Sequence, residues 1–225
     1  MRERRWRSAA AWFAAFAVFT TLLAGGAFLD LDVAVRDWSD AHRPESAFHV
    51  AKALYFLGSA NLIAAILLVA AVLLGLRDRT VRPALLVVGT AAVSYAVVVP
   101  LKIWTDRSAP HAPWPRAVDL FAHDAGWSYP SGHVVNTLIW YPVLLLLVEL
   151  TLRRTLPAGI RRAVLLGPVL IVFAAVTYLG YHWVTDCVAG VFLGAALRGL
   201  LPLDDARGQL RKPSDARFRP RQLIR

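Results

Sequence analysis

Residues 130–152 read PSGHVVNTLIWYPVLLLLVELTL, and between Val134 and Leu152 the one charged residue is Glu149, near the far end. About 20 predominantly apolar residues is the length of a helix that crosses a bilayer. The four residues before the run mark where that helix starts. Proline fits just before or within a first turn, serine is a good N-cap, and glycine lets backbone come close to a ligand. The stretch therefore predicts a membrane-spanning helix whose polar N-terminus stands at a membrane surface.

The same length rule finds five more runs. They are Ser8–Leu29, Ala53–Leu76, Pro83–Leu101, Ala163–Tyr181 and Trp183–Leu201, the last holding Asp186 near its start and Arg198 near its end. The chain has 225 residues, is 57% hydrophobic and has a mean hydropathy of +0.51, too apolar for an ordinary soluble domain. Lipid offers no partner to an unpaired backbone group, so the spans are expected to be helices. The predicted fold is an all-α, integral membrane six-helix bundle over residues 1–201. The first run follows Met1-Arg-Glu-Arg-Arg-Trp-Arg7, as a signal peptide would. It is long for one and lacks a convincing small-residue cleavage site, so it reads as a retained span. Cys187 is the single cysteine, which rules out an internal disulfide framework and a CxxC motif.

Arginines set the expected orientation. Arg2, Arg4, Arg5 and Arg7 precede the first span, Arg77, Arg79 and Arg82 follow the second, and Arg153, Arg154, Arg161 and Arg162 follow the fourth. The tail, residues 202–225, adds seven basic residues and few apolar ones, and reads as a disordered cytoplasmic segment against anionic lipid. With six spans these segments share one face, which the positive-inside rule makes cytoplasmic. The net charge of +10 thus reports topology, and no nucleic-acid module or Walker-type loop is present. Localisation in the plasma membrane with both termini cytoplasmic is the expectation. The alternation around Leu31–Trp38 predicts a short amphipathic segment on the outer surface. Trp104, Trp114, Trp127 and Tyr129 read as interfacial belt residues, one or two of them lining a headgroup groove.

That topology brings Lys102, Arg107, Ser131, His133, His182 and Asp186 to the outer face from three separate spans. Water and headgroups explain one polar residue at a span end; they explain this convergence less well. Asp186 follows His182 by four residues, which on a helix places both on one face. A carboxylate on one imidazole nitrogen leaves the other free as base or nucleophile. The free N–H groups at the start of the fourth span, with Gly132, form an anion site, beside which His133 is placed to protonate a leaving oxygen. Asn136, one turn on, faces either the same pocket or a neighbouring helix. His111, His123 and Asp124 have the irregular spacing of solvated loop residues, and no metal site is expected.

Together these elements resemble the type 2 phosphatidic acid phosphatase superfamily, integral membrane lipid phosphatases related to vanadium haloperoxidases. Three motifs carry the resemblance, from Lys102 to about Gly194. The first is Lys, six residues, then Arg-Pro, of which Lys102 and Pro110 are present. The second is Pro-Ser-Gly-His, complete at 130–133. The third is Ser-Arg, five residues, His, three residues, Asp, of which His182 and Asp186 are present. Two arginines are missing, replaced by Ala109 and Val176; Arg107 is a candidate substitute and Arg116 a weaker one.

The resemblance implies that His182 attacks phosphorus to form a phosphohistidine, Asp186 orients it, and His133 protonates the leaving group. Lys102, Ser131 and Gly132 then hold the phosphate oxygens, with Arg107 as the substitute cation. Neither a metal nor another cofactor is implied. The expected activity is hydrolysis of a lipid phosphomonoester or pyrophosphate at the outer face. The alternatives are a phosphotransferase acting on a hydroxyl acceptor, and a catalytically weak lipid-phosphate-binding protein. Oligomeric state is not legible.

Overall fold

The computed structural model describes residues 2–122, 126–203 and 208; His123, Asp124 and most of the basic tail lie outside the described residues. The described residues contain eight α-helices and no strand. They are α1 (Arg2–Ala24), α2 (Leu29–Ala41), α3 (Glu45–Tyr55), α4 (Ala60–Asp78), α5 (Arg82–Thr105), α6 (Gly132–Thr151), α7 (Ala158–Tyr178) and α8 (Val184–Leu200). Five of them, α1, α4, α5, α6 and α7, are long and apolar enough to cross a membrane. With its 17 residues, α8 completes the bundle as a shorter sixth member.

The helix announced by the Pro-Ser-Gly-His stretch is central. Of its span-length window 72% is buried, against 22% for each of the other four. It packs on α4, α5, α7 and α8, and α1 packs along α8. The outer helices turn large apolar side chains outward, among them Val69, Leu73, Leu76, Leu85 and Leu170, each more than 60% exposed. In a multi-pass membrane protein such residues face lipid.

Contact between α6 and α8 depends on glycine. A Cβ on Gly190 would stand 2.8 Å from the Ser131 carbonyl oxygen, and one on Gly194 2.7 Å from Leu138 Cδ1. Small residues four apart on one helix face let two backbones approach this closely. The backbone N–H of Ser131 donates to the carbonyl of Asp186 at 2.9 Å, tying the start of α6 to the first turn of α8.

Span boundaries differ from the apolar runs in informative ways. The second run begins at Ala53, yet α4 begins at Ala60. Residues 53–55 end α3, Phe56–Gly58 make a 3₁₀ turn, and Ser59 is extended. An apolar run does not reveal such a break when the turn itself is apolar. The helices of the first and fifth runs, α1 and α7, start earlier than those runs, at Arg2 and Ala158, taking arginines into their first turns.

At the arginine-rich end, Arg5 bonds the Leu201 carbonyl, joining α1 to the end of α8. Arg77 donates to the carbonyls of Leu150 and Thr151, capping α6. Glu149, the one carboxylate inside α6, accepts from the N–H of Leu156 at 3.0 Å and lies 3.6 Å from Arg161. At the opposite end α2 and α3 pack on α7, and α2 also meets Arg107 and His111 of the α5–α6 connection. Arg43 donates to the Tyr178 carbonyl at 2.6 Å, and Tyr178 Oη to the His42 carbonyl at 2.7 Å. The amphipathic segment expected around Leu31–Trp38 is the core of α2, but it is not simply a surface helix. Its Asp32 is 1% exposed and points into the protein.

Candidate active site

The ends of α3 and α5 and the starts of α4 and α6 meet at this second end, with the α5–α6 and α7–α8 connections, around a cavity of about 850 Å³. Lys102 comes from the last turn of α5, Gly132 and His133 from the first turn of α6, and His182 from the short α7–α8 connection. Tyr55 closes one side and Trp127 another. Gly180 has φ +69°, and the His111 ring lies where its side chain would be, with Cε1 only 2.0 Å from a Cβ position. Glycine here lets the connection turn sharply into His182.

His182 Nδ1 lies 3.4 Å from Asp186 Oδ2 and 3.3 Å from Ser128 Oγ. The Ser128 hydroxyl donates to the same Asp186 oxygen at 2.5 Å. A hydroxyl has one proton, so Ser128 accepts from His182, and Nδ1 must carry hydrogen. The lone pair is then on Nε2, as a nucleophile or base requires. His182 is 7% exposed and lines the cavity. Burial lowers its pKa, Lys102 adds to that, and Asp186 opposes it.

Asp186 is fully buried and saturated with donors. Besides Ser128, it accepts from the Trp183 backbone N–H at 2.9 Å and from Arg107 Nη1 at 2.6 Å. It stands at the third position of α8, where a carboxylate satisfies a free N–H and meets the positive end of the helix dipole.

His133 faces His182 with ring centroids 5.7 Å apart and packs on Tyr55 at 4.3 Å. Lys102 Nζ donates to the carbonyl oxygens of Trp127 and Ser128 and lines the cavity. Asn136 also lines it, but its amide donates to the Gly58 carbonyl at 3.0 Å, so it holds the 3₁₀ turn against α6. Of the expected site residues, His182, His133, Lys102, Gly132 and Asn136 therefore share the cavity wall, with Asp186 directly behind.

Two expected residues are placed differently. Ser131 is fully buried, and its hydroxyl lies beside the Cys187 thiol, not on the cavity wall. Arg107, expected to take the place of a missing phosphate-binding arginine, is 0% exposed and lies behind Asp186. A guanidinium has five N–H donors. In Arg107 they meet Asp186, Asp32 at 2.7 Å, Thr185 at 2.7 Å and the Val118 carbonyl from both Nε and Nη2. None is left for a phosphate oxygen. Arg116 is off the cavity and pairs with Asp119 at 2.7 Å. At the two positions lacking arginine, Ala109 lines the cavity, and Val176 is buried with Val134, Val172 and Cys187. Tyr129, expected in the interfacial belt, is fully buried with its hydroxyl 2.6 Å from Thr20 Oγ1, whereas Trp104, Trp114 and Trp127 are exposed.

Sequence reasoning missed Ser128 and Asp32. Ser128 sits in a loop with no local pattern to single it out. Asp32 accepts from Arg107 and from the backbone N–H and hydroxyl of Thr185. Burial pushes its carboxyl up, against the pull of Arg107 and Thr185. It was readable only as one of five acids in a polar connection.

Among solved structures, a transmembrane PAP2-type phosphatidylglycerolphosphate phosphatase from Bacillus subtilis has the same fold. The TM-score is 0.70 at 22% identity, covering 88% of this chain and 96% of that one. No curated protein sequence matches. The PAP2 superfamily matches residues 83–205, more than half of the chain, and the chain belongs to that superfamily.

Proposed function

We propose that this PAP2 superfamily member hydrolyses a lipid phosphomonoester or pyrophosphate at the outer face of the plasma membrane, through a phosphohistidine and without a metal. The observation that carries the reading is the shared cavity wall of His182, His133 and Lys102, with Asp186 and Ser128 fixing the His182 tautomer. The cavity also reaches Asn61 and Tyr95 on the lipid-facing sides of α4 and α5, which suits a substrate held in the bilayer. The outer-face assignment is supported by the arginines at the opposite end of the bundle.

In the first step the Nε2 lone pair of His182 forms a bond to phosphorus. The bond from phosphorus to the leaving oxygen breaks, its electron pair stays on that oxygen, and His133 supplies a proton. The His182 ring keeps its Nδ1 proton and becomes cationic, facing Ser128 and Asp186. Lys102 and the backbone N–H groups at the start of α6 balance charge on the phosphoryl oxygens. In the second step water, deprotonated by His133, displaces His182 and releases phosphate.

One observation favours a second reading. Among the described residues, Lys102 is the one Lys or Arg side chain on the cavity wall. A single fixed cation suits a less charged phosphodiester, and transfer to a lipid or sugar hydroxyl in place of water would follow the same two steps.

Phosphate release from a panel of lipid monophosphates and pyrophosphates, by the detergent-purified protein without added metal, tests the proposal. Hydrolysis is expected for at least one substrate and is expected to vanish in His182→Ala. Release that survives in His182→Ala refutes the phosphohistidine. Transfer of phosphorus to an added alcohol, with little free phosphate, selects the second reading.

A further inference from the structure

Behind the His182–Asp186 pair lies a fully buried unit that the three motifs do not contain. Arg107 is 0% exposed and Asp32 1%. Arg107 places Nη1 2.6 Å from Asp186 and Nη2 2.7 Å from Asp32. Asp32 oxygens meet three donors and no acceptor, the pattern of an ionised carboxylate. Thr185 closes the unit: it accepts from Arg107 and donates to Asp32.

Charge is the significant property of this unit. Arg107 alone would neutralise Asp186, and a neutral partner does little to stabilise an imidazole that turns cationic. Two carboxylates around one guanidinium leave a single net negative charge. The geometry points to Asp32 as a positioning residue that, through Arg107, keeps the His182–Asp186 pair negatively charged for the reaction. This rests on the phosphohistidine reading, in which Nε2 bonds to phosphorus, the leaving oxygen takes the P–O electron pair, and His182 gains the positive charge. Arg107 also holds Asp186 in place, bridging α2, the 106–131 connection and α8.

The variants that test this change charge at near-constant shape. Asp32→Asn leaves the unit neutral, and Asp32→Asn with Arg107→Gln returns it to one negative charge, on Asp186 alone. The other groups facing His182 are Lys102 from α5, His133 from α6, Arg36 from α2, and His111 against Gly180. All stay constant in these variants. Removing one unit charge from a buried cluster changes a rate by about tenfold or more. Asp32→Asn is therefore expected to lower kcat about tenfold or more while KM stays within about threefold. Less negative charge disfavours protonated His182, so the acid limb of kcat/KM is expected to move to lower pH by about one unit. The double variant is expected to recover much of the lost kcat and to return the acid limb to its wild-type position.

A strut without an electrostatic role gives a different pattern. The double variant then does no better than Asp32→Asn and the limb stays in place, which overturns the inference. Should Asp32→Asn fail to elute as a folded species in detergent, the double variant and charge-conserving Asp32→Glu decide. Both are expected to hold the wild-type limb, and displacement in either overturns the inference. His182→Ala runs alongside: if it keeps turnover, the phosphohistidine reading fails and this inference with it. If it is inactive and the Asp32 variants match wild type, this inference alone fails.

Discussion

Replacing Gly190 with alanine adds one methyl group where α8 crosses α6, one helical turn below Asp186. That Cβ would stand 2.8 Å from the Ser131 carbonyl oxygen and 3.1 Å from Val134 Cβ, where ordinary contact begins at 3.4 Å. The nearest atom is main chain and has no rotamer with which to move aside, so the helices must part by roughly half an ångström. Overpacking of this kind costs about 1–3 kcal/mol. At about 2–4 °C per kcal/mol for a chain of this size, Tm should fall by about 5 °C. The larger effect is on chemistry, because α6 carries His133 and α8 carries Asp186 behind His182. A misplacement of 1 Å costs about a hundredfold in rate, so half of that should cost about tenfold in kcat/KM. The assay is thermal unfolding in detergent beside turnover of the best lipid phosphate from the panel. Gly167→Ala is the control, since nothing lies within 4 Å of its Cβ position on α7 and alanine favours a helix by up to about 1 kcal/mol. Wild-type Tm and turnover in Gly190→Ala refute the idea that close α6–α8 contact holds the site together.

Ser128→Ala removes a donor to buried Asp186 and an acceptor for His182 Nδ1. At about 1.5–3 kcal/mol for a charged hydrogen bond, kcat should fall about 10–100-fold with little change in KM, and steady-state kinetics check this. Asn136→Ala leaves the Gly58 carbonyl unpaired; a loss of about 1–3 kcal/mol in stability is expected, read as a lower Tm. Burial lowers the pKa of His182 below its ordinary 6.5, with Lys102 adding and Asp186 opposing. In the proposed mechanism the neutral ring is the reactive form, and it persists to lower pH when its pKa is depressed. The profile of kcat/KM should stay level from pH 7 through 6.5 and fall only on the acid side; a midpoint at or above 6.5 contradicts this.

Much of the architecture was legible because lipid imposes a length rule. Runs without charge had to be helices, and the arginines marked one end of the bundle. What the rule cannot see is a turn made of apolar residues, which is why Phe56–Gly58 was absorbed into the second span. The histidines of the cavity wall and the Asp186 behind them were legible from two short patterns, Pro-Ser-Gly-His and a His–Asp pair at helical spacing. Residues that hold those groups in place carry no such pattern. Ser128 lies 54 residues before its partner His182, and the separation from Asp32 to Thr185 is 153. Arg107 shows the same limit from the other side. Its proximity in sequence to a missing arginine suggested phosphate contact, but two buried carboxylates compete for it from within the protein. A cation goes where its desolvation is best compensated, and only the folded structure shows where that is.

The pairing of α1 with α8 bears on how the molecule is made. Of the described helices, the first in sequence lies against the last, and Arg5 meets Leu201, 196 residues on. During synthesis α1 waits for distant partners: Tyr129, which bonds Thr20 and stacks on Phe16, lies 109 residues after Thr20, and α8 emerges later still. Contacts this distant in sequence form late. Lys102 and His133 are made before His182 and Asp186, so the cavity wall and the carboxylate behind it come together only once α8 has emerged. On the proposed function, reactivity toward lipid phosphates is thereby withheld until α8 has joined the other helices.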